Sequence, residues 1–334
     1  MTTLLGCYRM FHCCTYFDSR YLTRGLALYR SLARQGRTFH LWILCLDDEC
    51  HAVLEKLSLP LVSLIRLSEL EEHFPELKTA RGNRTLFEYY ATVKAFQLRM
   101  MFDVYSDVDR LFFLDADFWF LHDPELLATE LDGHAALLSP HRLSPPARGS
   151  KALEHGTFNA GFAAFQRSKG GLEPLEWWRG KVFEWCKDRM ENGLFADQGY
   201  LDLMIKQFPT VHAAQHPGIN VAPWNLDERP LSERDGKIFA GDKPLIFVHF
   251  HGLKKITWKL YDTGTAPYRI APDPSAVRLL FRPYIRELHQ ITWWLRREHG
   301  YTARQGSVRH PQQSVLRSPG LLMSRIRRRQ WILA

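Results

Sequence analysis

Apolar residues recur along the chain in short blocks whose spacing switches between strand and helix periods. Residues 7–14 and 39–46 (FHLWILCL) are apolar, aromatic-rich runs of strand length, and between them Leu22, Leu26, Tyr29 and Leu32 or Ala33 recur at helical spacing over 20–34. Further strands are expected at 61–67, 110–115, 135–139, 158–166, 211–214 and 245–250. Helices are expected at 85–102, 172–188 and 197–208, the last with Asp197 as its N-cap. Strands alternating with helices predict an α/β domain with a mainly parallel sheet, because each parallel crossover lays a helix on a sheet face. Gly264, Pro267, Pro272 and Pro274 interrupt the pattern ahead of a helix at 276–298. The expected division is a domain over 1–265 and a helical, Arg-rich extension over 266–334.

Composition narrows the class. With 334 residues, 46% hydrophobic and ten of them Trp, the chain has ample material for a core, which excludes disorder as its main state. No run approaches eighteen apolar residues, and the first fourteen carry Arg9 and His12, so neither a membrane span nor a secretory leader is expected and the predicted location is cytoplasmic. Cys7, Cys13, Cys14, Cys45, Cys50 and Cys186 form no Cys-x-x-Cys pair and read as reduced core residues. The net charge of +8 is unevenly placed: the segment from Arg282 onward holds 11 Arg and 2 Glu, leaving 33 basic and 34 acidic residues in 1–281. A nucleic-acid-binding face would spread its basic residues over the folded body, so none is expected. In the tail, Trp293-Trp-Leu-Arg-Arg297 and residues 321–333 interleave Arg with large apolar groups, the mixture that lies in an anionic lipid interface. On that reading a chain ending near residue 306 stays folded and loses only its membrane contact.

The chemistry concentrates in four places. The run Arg110-Leu-Phe-Phe-Leu-Asp-Ala-Asp-Phe-Trp119 is an apolar strand ending in two carboxylates, Asp115 and Asp117, at the strand end where α/β sheets bind ligands. Two hard oxygen ligands there suit Mg²⁺ or Mn²⁺, which take phosphate oxygens as further ligands; the alternative is a solvated strand-to-turn junction. Asn159 and Gly161, in Gly156-Thr-Phe-Asn-Ala-Gly161, offer an amide and a close backbone approach, or a plain turn. Asp197 and Gln198 offer a carboxylate and an amide, or simple capping. Phe247-Val-His-Phe-His-Gly-Leu-Lys-Lys255 supplies His249 as a third metal ligand or a core histidine, and Lys254 or Lys255 as a phosphate partner. Trp224 and Trp258 are either sugar platforms or core, with core favoured for Trp258. An aspartyl phosphatase also begins with a strand and Asp-x-Asp, but there a small hydroxylic residue follows where Phe118-Trp-Phe120 stands here.

Asp115-x-Asp117, Asn159-Ala-Gly161, Asp197-Gln198 and His249-Phe-x-Gly252-x-x-Lys255, in that order after an apolar strand, resemble nucleotide-sugar glycosyltransferases of the GT-A fold, nearest to family 8 and its bacterial relatives. Thr15-Tyr-Phe-Asp-Ser-Arg-Tyr21-Leu and Ala222-Pro-Trp-Asn225 add to the likeness, which spans residues 10 to 258. The resemblance implies a Rossmann-like α/β fold; the basic helical tail lies beyond it. It implies Mn²⁺ or Mg²⁺ on Asp115, Asp117 and His249, bridging the diphosphate of a nucleoside-diphosphate sugar, typically a UDP-sugar. Thr15 and Tyr21 would receive the base, Asn159 and Gly161 would border the donor sugar, Asp197 and Gln198 would contact it near the anomeric carbon, and Gly252 and Lys255 would bind the leaving diphosphate. The acceptor would be a hydroxyl of a surface glycan or lipid-linked saccharide, and the transfer would retain anomeric configuration. One departure stands out: family members carry Tyr-x-Arg where this chain has Tyr90-Ala-Thr92, so Arg81, Arg84 or Lys94 must supply the charge. A nucleotide-sugar-binding scaffold without turnover is the alternative in another class.

Overall fold

Side chains alternate across a strand, so a buried sheet sorts its own residues into two cores. The computed structural model describes residues 10–150, 156–304 and 319–333. Its strands begin with β1 (Phe11–Phe17), β2 (Phe39–Cys45), β3 (Val62–Arg66), β4 (Arg110–Leu114), a short β5 (Phe118–Phe120), β6 (Ala136–Pro140), β7 (Phe158–Gln166) and β8 (Val211–Ala213). All but β5 form one sheet in the order β3-β2-β1-β4-β7-β6-β8. The pairs β3·β2, β2·β1, β1·β4 and β6·β8 are parallel; β4·β7 and β7·β6 are antiparallel. Phe11, Cys13, Leu41, Ile43, Phe112 and Leu114 pack with the helices Leu22–Ala33 and Arg282–His299. Cys14, Trp42, Leu44 and Phe113 pack with the helices Leu86–Val104 and Lys169–Glu184. The mixed, mainly parallel α/β architecture expected from the sequence is present. A Cβ on Gly25 would fall 2.2 Å from the Phe17 ring, which is how closely the first helix lies on β1.

Most expected elements occur within a few residues of their forecast, and β7 has the forecast limits. The first strand sits later than residues 7–14, at Phe11–Phe17, because Thr15 and Tyr16 continue the buried ladder against Ile43 and Leu44; residues 7–9 lie outside the described residues, Cys7 among them. The other five cysteines are buried free thiols. The expected helix at 276–298 holds a wide π turn over Val277–Phe281 before Arg282–His299. Pro283 explains it: proline has no N–H to donate and its ring crowds the carbonyl four residues back.

Asp197 is no N-cap. A 3₁₀ turn, Gln198–Tyr200, precedes the helix Leu201–Gln207, and the Asp197 side chain makes no capping bond.

Beyond β8 the chain adds a small antiparallel sheet of β9 (Leu231–Arg234), β10 (Lys237–Ala240) and β11 (Lys243–Pro244). β12 (Phe247–His249) then pairs antiparallel with β5. Next, β13 (Lys254–Lys255) and β14 (Leu260–Asp262) form a hairpin completed by β15 (Trp331–Leu333). That last strand takes Trp331 and Ile332 out of the lipid-facing role expected for the tail. Trp331 is 2% exposed and Ile332 5%, and both are packed within the protein. The Gln330 carbonyl accepts from Thr263 N (2.8 Å) and Oγ1 (2.9 Å), and its amide donates to Ile270 O (3.1 Å). Trp331 and Ile332 thus serve internal packing, while Trp293, Met323 and Leu333 remain exposed. Among the described residues no helix is long and apolar enough to cross a membrane.

A chain cut near residue 306 would strip β14 of its neighbour, so it should unfold at lower temperature than the full chain, contrary to the sequence expectation. Trp331→Ala in the full chain should cost about 3–5 kcal/mol, read as a fall in Tm. Unchanged melting in both would mean that β15 contributes nothing to the fold.

Candidate functional site

The chain lays down β2 and β3 on one side of β1 and then returns to place β4 on the other. In open α/β sheets such a reversal leaves a crevice at the carboxyl ends of the strands, where ligands bind. Asp115 and Asp117 follow β4 directly, at that crevice. Because β7 runs antiparallel to β4, its beginning lies beside the end of β4, and the Asp115 N–H donates to Gly161 O at 2.9 Å. β12 lies antiparallel to β5 with His249 opposite Phe118, next in the chain to Asp117. Three segments far apart in sequence thus deliver side chains to one place.

His249 Nε2 stands 3.2 Å from Asp117 Oδ1 and 3.8 Å from Asp115 Oδ2. One ligand atom from each of the three residues lies within 4.8 Å of the others. Both oxygens are hard anionic ligands and the imidazole nitrogen is a compatible third, a set that fits Mn²⁺ or Mg²⁺. The electrostatics agree. Burial alone would raise the Asp117 carboxyl, but the His249 ring, with His251 and Arg24 beyond it, holds it below the ordinary carboxylate range. Asp115 is raised by burial, against the pull of Lys94 and His249, with Asp117 and Asp197 adding to the rise. The Gly161 backbone makes room for this convergence. A Cβ there would stand 2.7 Å from Asp115 Oδ2, 2.7 Å from Asn159 Oδ1 and 3.0 Å from His249 Cε1.

Asp197 is brought into the same site by a buried cation. Lys94 Nζ lies 2.9 Å from Asp197 Oδ2 and 3.8 Å from Asp115 Oδ1, and donates to Ala160 O at 2.8 Å. Burial opposes the charge of Lys94, but Asp197, Tyr16 and Asp115 outweigh it and raise its pKa. Of the three basic residues that could replace the missing arginine, Lys94 is the one at the carboxylates. Arg81 pairs with Glu71, and Arg84 bonds Thr92 Oγ1 and the Val182 and Phe183 carbonyls. Asn159 Nδ2 donates to Gln198 Oε1 at 3.2 Å, joining the two amides singled out in the sequence.

Of the remaining candidates, Tyr21 and Trp224 are tied to this centre through Asp117 and His249, and the others have partners elsewhere. Thr15 is fully buried on β1, where its carbonyl accepts from Gln97 Nε2 at 2.9 Å. Tyr21 begins the first helix beneath the Arg24 guanidinium, 4.5 Å from its ring centroid. Its hydroxyl pKa is raised by burial first, then, against Arg24, by Asp117 and Asp115. Gly252 lies in the turn after β12, and Lys255 sits on β13 opposite Tyr261, where its charge acts on His289. Trp224 is 1% exposed and meets the His249 ring edge-on at 5.3 Å, so it packs the site from behind and presents no open platform. Trp258, expected in the core, is 70% exposed, because it sits in the turn between β13 and β14. Sequence reasoning missed Asn220, fully buried and within 3.3 Å of His249 Nδ1. It also missed Arg24, whose guanidinium donates to Leu253 O at 2.6 Å and whose charge helps to lower the Asp117 carboxyl.

No family model matches the chain. The chain is 31% identical over 250 residues to the uncharacterized protein YfnF of Bacillus subtilis (strain 168), covering 73% of this chain and 82% of YfnF. It is 30% identical over 280 residues to the uncharacterized protein YfnD of the same organism, covering 83% of this chain and 88% of YfnD. Among solved structures, the apo-form glycosyltransferase GlyE of Streptococcus pneumoniae TIGR4 is similar with a TM-score of 0.49 at 16% identity, over 88% of this chain and 65% of that one. On the sequence identity and the share of both chains that it spans, this protein belongs to one family with YfnF and YfnD of Bacillus subtilis.

Proposed function

We propose that the protein is a metal-dependent glycosyltransferase that moves a sugar from a nucleoside-diphosphate sugar, a UDP-sugar first among them, to a hydroxyl of a glycan or lipid-linked acceptor. The observation that carries this reading is the convergence of Asp115, Asp117 and His249 at the strand ends, with the Lys94–Asp197 pair beside them. The order of motifs resembling family 8 supports it, since each motif has a member in this one cluster or at its edge. Asp115, Asp117 and His249 would hold Mn²⁺ or Mg²⁺. Bound there, the ion would neutralise diphosphate charge as it leaves the anomeric carbon.

The chain's own residues do the rest. Asp115, Asp117 and Asp197 outnumber the Lys94 ammonium and the more distant Arg24 guanidinium, and a divalent ion would offset the negative excess. Lys94 fixes Asp197 so that its carboxylate and the Gln198 amide border the donor sugar, and a sugar so held needs only the acceptor hydroxyl on the face from which the diphosphate departs. The bond from the anomeric carbon to the diphosphate oxygen breaks, the bond to the acceptor oxygen forms, and the hydroxyl proton passes to the departing diphosphate. Thr15 and Tyr21 would receive the base, and Gly252 and Lys255 would bind the leaving diphosphate. Retention of configuration rests on the resemblance alone. The phosphatase reading fits poorly, because Phe118–Phe120 is a buried strand paired to β12 rather than an open loop around a phosphate.

Three outcomes test this. Asp117→Asn should remain folded and lose Mn²⁺ binding by calorimetry together with Mn²⁺-dependent hydrolysis of UDP-sugars; Mn²⁺ binding unchanged in that variant would refute the metal assignment. Gly161→Ala should weaken Mn²⁺ binding as well, because the new methyl displaces the Asp115 carboxylate; equal affinity would show that the contact relaxes elsewhere. Asp197→Asn should depress kcat with little change in Mn²⁺ affinity. It should also lower Tm, since Lys94 loses the nearer of its two counter-charges and keeps only Asp115 at 3.8 Å. Wild-type protein that binds a UDP-sugar with Mn²⁺ yet never turns it over is a binding scaffold.

A further inference from the structure

A neutral imidazole holds a proton on one ring nitrogen and offers a lone pair on the other, and only the second can bind a metal ion. His249 Nδ1 lies 3.3 Å from Asn220 Oδ1, but a side-chain amide also has two unlike ends. Backbone groups of fixed polarity settle both questions. The Gly161 N–H donates to Asn159 Oδ1 at 3.2 Å, and the Ala160 N–H donates to Gln198 Oε1 at 3.3 Å. A peptide N–H can only donate, so the atoms facing these groups are oxygens. Asn159 therefore turns Nδ2 toward Gln198 Oε1, at 3.2 Å, and its Oδ1 toward Asn220. The Asn220 atom facing that oxygen at 3.4 Å must be Nδ2, which also reaches Ser139 Oγ at 2.9 Å. Only Oδ1 of Asn220 remains for His249. An acceptor there places the ring proton on Nδ1 and leaves the Nε2 lone pair facing Asp115 and Asp117.

We infer that Asn220 is a positioning residue of the metal site: its carbonyl, oriented through Asn159 by the Gly161 and Ala160 N–H groups, fixes the His249 tautomer that can bind a cation. The inference rests on the metal reading above and adds what makes His249 competent for it. Without Asn220, the neutral ring is free to turn its proton from Nδ1 to Nε2 and donate to Asp117 Oδ1, 3.2 Å away, so that the lone pair no longer faces the ion. Groups that hold the second nitrogen of a ligating histidine act in this way in metal sites generally. Asn220 is fully buried and has a φ of +58°, a left-handed conformation that Asn, Asp and Gly adopt most readily. Its backbone carbonyl accepts from Asn225 Nδ2 at 3.1 Å, which ties the loop to the Ala222–Asn225 segment.

The test uses the full chain, labelled with ¹⁵N-histidine, in two measurements. Long-range ¹H–¹⁵N spectra of cation-free protein at about pH 9, above the ordinary imidazole range, report the tautomer, and Mn²⁺ titration reports affinity. Wild type should show His249 as Nδ1–H. Asn220→Asp keeps an acceptor toward Nδ1 and should keep that tautomer and bind Mn²⁺ within a few-fold of wild type. Asn220→Gly keeps the backbone conformation, and should shift His249 toward Nε2–H and weaken Mn²⁺ binding roughly 10–100-fold. Asn220→Ser, which keeps a hydroxyl for Ser139 but no carbonyl for His249, should behave like Asn220→Gly and serves if that variant does not fold. Wild-type tautomer and affinity in the Gly or Ser variant would overturn the role of Asn220. A wild type that shows Nδ1–H but binds no Mn²⁺ would instead overturn the metal reading.

Discussion

Like charges gathered in a buried place must be compensated where they stand, and the Lys94 ammonium does this for Asp115 and Asp197. Lys94 is almost fully buried, 4.9 Å above the Phe113 ring, so water cannot share the task. Its position depends on the helix Leu86–Val104, which begins with a reciprocal cap between Thr85 and Glu88 and packs its apolar residues under the sheet. A shift of that helix by one residue would swing Lys94 away and leave two carboxylates repelling each other. The site is therefore anchored in the core rather than hung on loops, apart from the segment around Asn220 and the turn that holds Asp197.

How much of this was legible in the sequence depends on the reach of each signal. Asp115 and Asp117 were readable because an apolar strand ending in paired carboxylates is a local pattern, and β7 because its apolar run has sharp polar borders. Lys94 was harder. It sits inside an apolar helix, where a basic residue reads as one of several surface charges, and only the departure at Thr92 directed attention to it. Asp197 was read as a cap because a helix pattern follows it, yet the nearby ammonium holds it more strongly than the helix end does. Asn220 carried no pattern: it lies between elements, has left-handed backbone, and owes its importance to partners at positions 139, 159 and 249. Trp258 and Trp331 were exchanged in expectation, one thought inside and found exposed, the other assigned to lipid and found in a strand. In both cases composition stood in for tertiary pairing, which composition does not contain.

The amides around the site act as a single oriented chain. Each side-chain amide is ambiguous alone, and the backbone of β7 removes the ambiguity for all of them through two N–H groups. The Asn-Ala-Gly motif thus has a structural meaning apart from any ligand. Its asparagine passes the polarity of the sheet outward in two directions, to His249 through Asn220 and to Gln198 directly.

The pairing of β14 with β15 has a consequence for the order in which the protein is made. Thr263 and Gln330 are 67 residues apart, and the hairpin that bears Lys255 has one edge open until residues 331–333 arrive. Synthesis proceeds from the N-terminus, so the sheet and the Asp115–Asp117–His249 cluster can assemble on the ribosome while that edge is still bare. An unpaired strand edge invites other chains. The nascent protein would then pass through an interval in which Asp115, Asp117 and His249 are in place and the edge of β14 still awaits residues 331–333.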